Sequence, residues 1–258
     1  MLVTPPARAP HAAAAFLLAA AAHAALARPA AGQIVGLPAA QTPFGGRPLA
    51  VAANVGVGGD GLRSYGGAVG VRAGGSRLMG AFGVAAVQGF ATSRTTVGLR
   101  VAYLLPLGAS GALAAAPFAG YGYLARGDAE QQGRRAAETG RPAVPGNVSV
   151  IPAGVSVGYR RVVAGRPVAV HVSPQAQYWR VNANDDAGTA ATNRVYLRAA
   201  AALDVAVTRQ IGLTLAYEAG ASSSVTGSGA AATGLANGPR PSTVGVALSY
   251  SPGRRRRA

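Results

Sequence analysis

Chemistry in this chain has little to work with: three histidines (His11, His23, His171), eight carboxylates and no cysteine among 258 residues. Without cysteine, a disulfide framework and a Cys-ligated metal site are excluded. His171 and Ser173 lie two residues apart, so in an extended chain they share one face, as a base and a nucleophile must. Two polar neighbours on one strand are more often plain face-mates than a hydrolytic pair. Asp185-Asp186 offers adjacent carboxylates, but in a polar stretch far along the chain from that histidine. Gly56-Val57-Gly58-Gly59-Asp60-Gly61 matches G-x-G-x-x-G. That fingerprint works only where a strand feeds a helix, and Leu62–Arg72 alternates as a strand. It reads as a Gly-rich hairpin turn. The sequence therefore predicts no catalytic residue, no metal and no cofactor, and no enzyme.

What remains is charge. All 24 Lys+Arg residues are arginine, the formal net charge is +16, and yet only 12% of the chain is charged. A mean hydropathy of +0.25 argues against disorder. The N-terminus accounts for one arginine. Arg8 precedes an apolar run from Ala12 to Ala22, followed by Ala25-Leu26-Ala27 and Arg28-Pro29. These are the three regions of a secretory signal peptide, with cleavage after Ala27, and the run is too short for a helical membrane span. The expected organisation is a signal peptide over 1–27, a short periplasmic linker over 28–48, a patterned domain over 49–251 and a basic tail over 252–258.

From residue 50 the pattern has a period of two, as in Val244-Gly245-Val246-Ala247-Leu248-Ser249-Tyr250. Alternation at this period marks half-buried strands. Ten runs follow, near 50–58, 64–72, 77–88, 94–105, 112–124, 148–162, 167–180, 194–207, 210–220 and 241–251. Most have about the 9–11 residues of a tilted membrane-spanning strand; the count drops to eight if the first two do not span. Connections after the second, fourth, sixth and eighth runs are short: Ala73–Ser76, Pro106–Gly111, Val163–Arg166 and Thr208-Arg209. Those after the fifth, seventh and ninth are long: Ala125–Asn147, Val181–Asn193 and Ala221–Arg240.

Eight of the nine tyrosines fall in the apolar phase and toward strand ends, in two bands: Tyr65, Tyr121, Tyr123, Tyr178 and Tyr217 at the long-loop end, Tyr103, Tyr159 and Tyr250 at the short-turn end. Only Tyr196 takes the other phase. Such bands are the aromatic girdles of a membrane barrel. The opposite phase is small and polar, with Arg100, Arg160, His171, Gln175, Gln177, Arg198, Asp204 and Glu218. A soluble core would bury those charges at prohibitive cost. A barrel that is apolar outside and polar within removes the conflict. Counting outward from the Thr208-Arg209 turn sets Arg198 nearly opposite Glu218, a cross-strand ion pair in the lumen. The fold expected is all-β: an antiparallel up-and-down transmembrane β-barrel, preceded by a cleaved signal peptide.

From Leu49 to Ser251 the chain resembles the small outer-membrane β-barrel proteins of Gram-negative bacteria, and Val244–Tyr250 resembles their closing strand. Here Ser251-Pro252-Gly253 and Arg254–Arg257 follow the terminal aromatic, which departs from that family's usual ending. The resemblance implies residence in the cell outer membrane, porin-like architecture, and as partners outer-membrane lipid, lipopolysaccharide and the barrel-assembly machinery. It implies no nucleic acid and a monomer. Ten strands also invite comparison with the omptin proteases, but those use an Asp–His pair at the outer rim, and no Asp-His dipeptide exists here. Arg63, Arg94, Arg126, Arg134, Arg135 and Arg141 are expected on the outer side near lipopolysaccharide phosphates, and the Arg254–Arg257 tail near anionic head groups. The expected role is structural or loop-mediated at the surface; the alternative is a narrow channel for small, anionic solutes, and a hydrolase ranks last.

Overall fold

Branched apolar residues alternate with glycine, alanine and polar residues along every run, and each run becomes a strand whose neighbours are its sequence neighbours. The computed structural model describes residues 49–58, 63–72, 76–88, 93–125, 134, 137–138, 146–185, 188–226 and 242–252. The expected signal peptide, linker and Arg254–Arg257 tail lie outside them, as do Gly59–Gly61 of the glycine-rich motif.

The strands are β1 (Leu49–Gly58), β2 (Arg63–Arg72), β3 (Leu78–Gln88), β4 (Arg94–Tyr103), β5 (Leu105–Leu107), β6 (Leu113–Leu124), β7 (Gly146–Val163), β8 (Arg166–Asp185), β9 (Gly188–Ala206), β10 (Ile211–Thr226) and β11 (Thr243–Tyr250). β5 resumes β4 beyond Leu104, and both pair with β6, so eleven segments make ten passes. The sheet is antiparallel throughout and closes on itself, with β1 on β11 and β4 on β6. The first two runs are full members of the wall, which decides for ten strands over eight. Ala164 and Gly165, both at positive φ, make the two-residue β7–β8 turn, the form that matches strand twist.

The register gives the size of the barrel. From Ser249 the pairs run through Ala52, Ala68, Gly83, Gly98, Gly122, Val150, Trp179 and Arg194 to Val225. On its other side Ser249 pairs with Gly212. One circuit thus moves thirteen residues along β10, one of them belonging to the irregularity between Ala221 and Ser224. The shear is therefore twelve over ten strands. With ordinary rise and strand spacing this sets a tilt of about 40° and a backbone radius of about 10 Å.

Polarity is inverted. Outward residues are apolar and exposed (Val57 58%, Phe82 56%, Leu197 61%), whereas Arg100, pointing inward, is 1% exposed. This is the architecture of a transmembrane β-barrel. All eight girdle tyrosines take the outward phase, and seven of them are exposed, with Tyr123 half-buried. No helix among the described residues is long and apolar enough to cross a membrane.

Two readings change. Val181–Asn193, expected as a long loop, is mostly paired strand: β8 and β9 stay in register from Val181↔Thr192 to Asp185↔Gly188. β10 likewise continues to Thr226, into the stretch read as the third long loop.

Close strand contact bars a side chain at Gly66, as it does at Gly120 and Gly154. A Cβ on Gly66 would overlap the Val84 carbonyl oxygen and the Ala85 Cβ, whereas one on Gly67 would meet only the Ala52 oxygen at 3.6 Å. Gly66→Ala is expected to lower stability by about 1–3 kcal/mol, and Gly67→Ala to leave it nearly unchanged. Denaturant midpoints of the two variants in the same detergent check this.

Candidate functional site: the barrel lumen

The lumen is built on an asymmetry of size. Most inward residues of β1, β2 and β11 are small (Ala50, Ala52, Ser64, Ala68, Gly245, Ala247 and Ser249), Asn54 and Arg72 being larger. Those of β8 and β9 are large: His171, Gln175, Gln177, Trp179, Arg194, Tyr196 and Arg198. With a wall only about 10 Å from the axis, long side chains from one side fill the space the small ones leave.

The structure brings Gln175, Gln177, Arg198 and Glu218 together. Arg198 Nε stands 2.8 Å from Glu218 Oε1. Gln175 Nε2 and Gln177 Nε2 donate to the same oxygen at 3.0 and 3.2 Å. Trp179 Nε1 donates to Gln177 Oε1 at 3.0 Å, and its ring meets Tyr196 edge-on at 5.3 Å. Arg198 does not lie straight across from Glu218: its partner is Gly220, and Glu218 faces Ala200. The last paired residues are Ala206 and Gly212, with five residues between them instead of two, and this odd count shifts the register by one residue. Gly220 leaves room for the arginine stem, since a Cβ there would sit 3.2 Å from Arg198 Cγ.

A second group gathers lower in the lumen. His171 Nε2 is 3.4 Å from Asp204 Oδ2, and the Thr214 hydroxyl donates to Asp204 Oδ1 at 2.5 Å. Ser173, considered above as a nucleophile for His171, donates instead to Ser156 Oγ at 2.8 Å. Both serines are fully buried.

Arg100 joins neither group. Arg100 lies with its guanidinium carbon 3.7 Å from the centre of the Phe118 ring. Its Nε and Nη1 are buried without a hydrogen-bond partner. Arg160 faces inward at the short-turn end, half-buried.

Apolar clusters flank the polar layer. Val87, Leu124, Val148, Val150, Trp179 and Val181 pack inside at the long-loop end, and Met79, Ala102, Ala116 and Phe118 at the short-turn end.

Of the inward residues that escaped the sequence reading, four are buried arginine or aromatic side chains. Arg94, expected outside, is buried and donates from Nε to the Ala125 carbonyl at 2.7 Å and from Nη2 to that of Gly146. Arg194 Nη1 donates to Tyr196 OH at 3.3 Å. Trp179 and Phe118 complete the set. All four share the two-residue phase of inward residues already identified, so extending that phase to the strand ends would have found them. Among the described residues, no group of three or more His, Asp or Glu stands where it could hold a metal ion.

No family profile and no curated protein matches the chain. Solved structures do. The chain is similar to the KdgM porin in complex with disordered oligogalacturonate, at 8% identity over 78% of this chain and 98% of that one (TM-score 0.38). It is similar to the Acinetobacter baumannii outer membrane protein Omp33, at 8% identity over 79% and 97% (TM-score 0.33). It is also similar to the outer membrane protease OmpT from Escherichia coli, at 9% identity over 79% and 93% (TM-score 0.33). By its own register and burial, the chain is a ten-stranded transmembrane barrel with a polar interior.

Proposed function

We propose that this protein is a non-catalytic outer-membrane barrel that acts structurally or through its long-loop surface, with a lumen closed to solutes. The carrying observation is the burial of the lumen side chains: Arg100, His171, Gln175, Gln177, Asp204 and Glu218 are all 5% exposed or less. Barrels of this size are filled by their own side chains. The surface role is supported by strand length. β7 to β10 have 18, 20, 19 and 16 residues, well beyond the roughly 9–11 that a span needs. Lipopolysaccharide on the long-loop side and the barrel-assembly machinery are the partners this reading implies. The absence of catalysis is supported by Ser173 donating to Ser156 instead of to His171, and by both Ser173 and His171 being buried.

A channel for small anions is the second reading. It is favoured by the inward charges among the described residues: Arg72, Arg94, Arg100, Arg160, Arg194 and Arg198 against Asp204 and Glu218. Planar-bilayer recording separates the two. The closed reading expects no discrete conductance steps from wild-type protein. Steps that disappear on Arg100→Met would establish the channel instead. Cell fractionation with a boiling-dependent mobility gel tests the location: recovery as a soluble periplasmic protein would overturn both readings.

A further inference from the structure

The short-turn rim has an arrangement that neither the fold nor a closed lumen requires. Each of its three outward tyrosines has an exposed arginine set just beyond it toward the rim. Tyr159 is followed in the same outward phase of β7 by Arg161. Arg161 pairs with Val168, and Val163 pairs with Arg166, so Arg161 and Arg166 are diagonal neighbours on the outer face. Tyr103 pairs with Leu78, and Arg77 immediately precedes that residue. Tyr250 pairs with Ile211, and Arg209 lies in the turn before it. All four arginines are exposed, and no carboxylate among the described residues accompanies them on this rim.

We infer that these tyrosine–arginine stations bind the phosphodiester head groups of anionic phospholipid in the leaflet at the short-turn rim. The inference rests on the membrane reading above. An amphipathic tyrosine marks where hydrocarbon gives way to head groups. A guanidinium one step further out stands at phosphate depth, with the planar fork that phosphate oxygens match. A surface of one sign attracts anionic lipid over zwitterionic lipid. The opposite rim differs: there exposed Arg63 and Arg180 share their end of the barrel with Glu138 and Asp185.

The full chain, refolded in detergent, is first confirmed as a barrel by its boiling-dependent mobility. It is then given equal amounts of phosphatidylglycerol and phosphatidylcholine, and the retained lipids are counted by native mass spectrometry. Wild type is expected to retain phosphatidylglycerol several-fold over phosphatidylcholine. The Arg77→Gln, Arg161→Gln, Arg166→Gln, Arg209→Gln chain should lose that preference while keeping its mobility shift, and Arg63→Gln, Arg180→Gln should keep it. Retained preference in the fourfold variant overturns the inference. So does displacement of phosphatidylglycerol by inorganic phosphate, which would assign the arginines to free anion. A chain that stays soluble without detergent overturns the membrane reading itself, before any lipid is added.

Discussion

Glu218→Leu is expected to lower the stability of the folded barrel by about 3–5 kcal/mol, the largest loss foreseen for any single lumen substitution. Glu218 Oε1 accepts from Gln175 and Gln177 and is the ion-pair partner of Arg198 at 2.8 Å. Removing it leaves a buried guanidinium without its carboxylate and two amides without their acceptor, while the added apolar contact recovers little. Glu218→Gln keeps an oxygen in place but not the charge, so its cost should be smaller, on the order of 1.5–3 kcal/mol. The double change Arg198→Met, Glu218→Leu removes both charges and should recover most of the loss. Urea midpoints in one detergent, arranged as a double-mutant cycle, measure these terms. A neutral Glu218→Leu would mean that the ion pair is dispensable and that water already reaches Arg198.

Arg100→Met should move the other way, stabilising the barrel by on the order of 1–4 kcal/mol. Arg100 is 1% exposed and its Nε and Nη1 have no hydrogen-bond partner. The Phe118 ring beneath it offsets about 2 kcal/mol at best, less than the several kcal/mol needed to take a cation out of water. Methionine keeps much of the length without the charge. A loss of stability of similar size would show that the guanidinium is solvated inside the lumen. The same result would support the channel reading, so the experiment bears on function as well as on folding.

How much of this was legible beforehand follows from which forces set each feature. The inward or outward phase of a strand residue depends only on a period of two, so Val244–Tyr250 and the eight outward tyrosines could be placed without any partner strand. Strand ends depend on the neighbour. Asn182 to Asn193 is rich in Asn, Asp, Ala, Gly and Thr, poor strand formers apart from the threonines, and only pairing between β8 and β9 holds it extended. The offset between Arg198 and Glu218 hid in the length of a turn. Arg94 is misplaced when grouped with the loop arginines, although the inward phase of Arg100 carries back to it at the first residue of β4.

The unequal strand lengths give the molecule a front and a back. With strands tilted by about 40°, each residue climbs about 2.5 Å along the barrel axis, so the ten residues of β1 or β2 just cross an apolar band of about 25 Å. β8 has twice that number, and about half of it stands clear. β7 to β10 therefore rise as a parapet along one arc of the mouth, with the β1–β3 arc left low. Among the described residues, a large partner arriving from above meets a sheet face on one bearing and only short strand ends on the opposite one. On the proposed surface role, recognition would be directional, and a neighbouring molecule lodged against the low arc would leave the parapet uncovered.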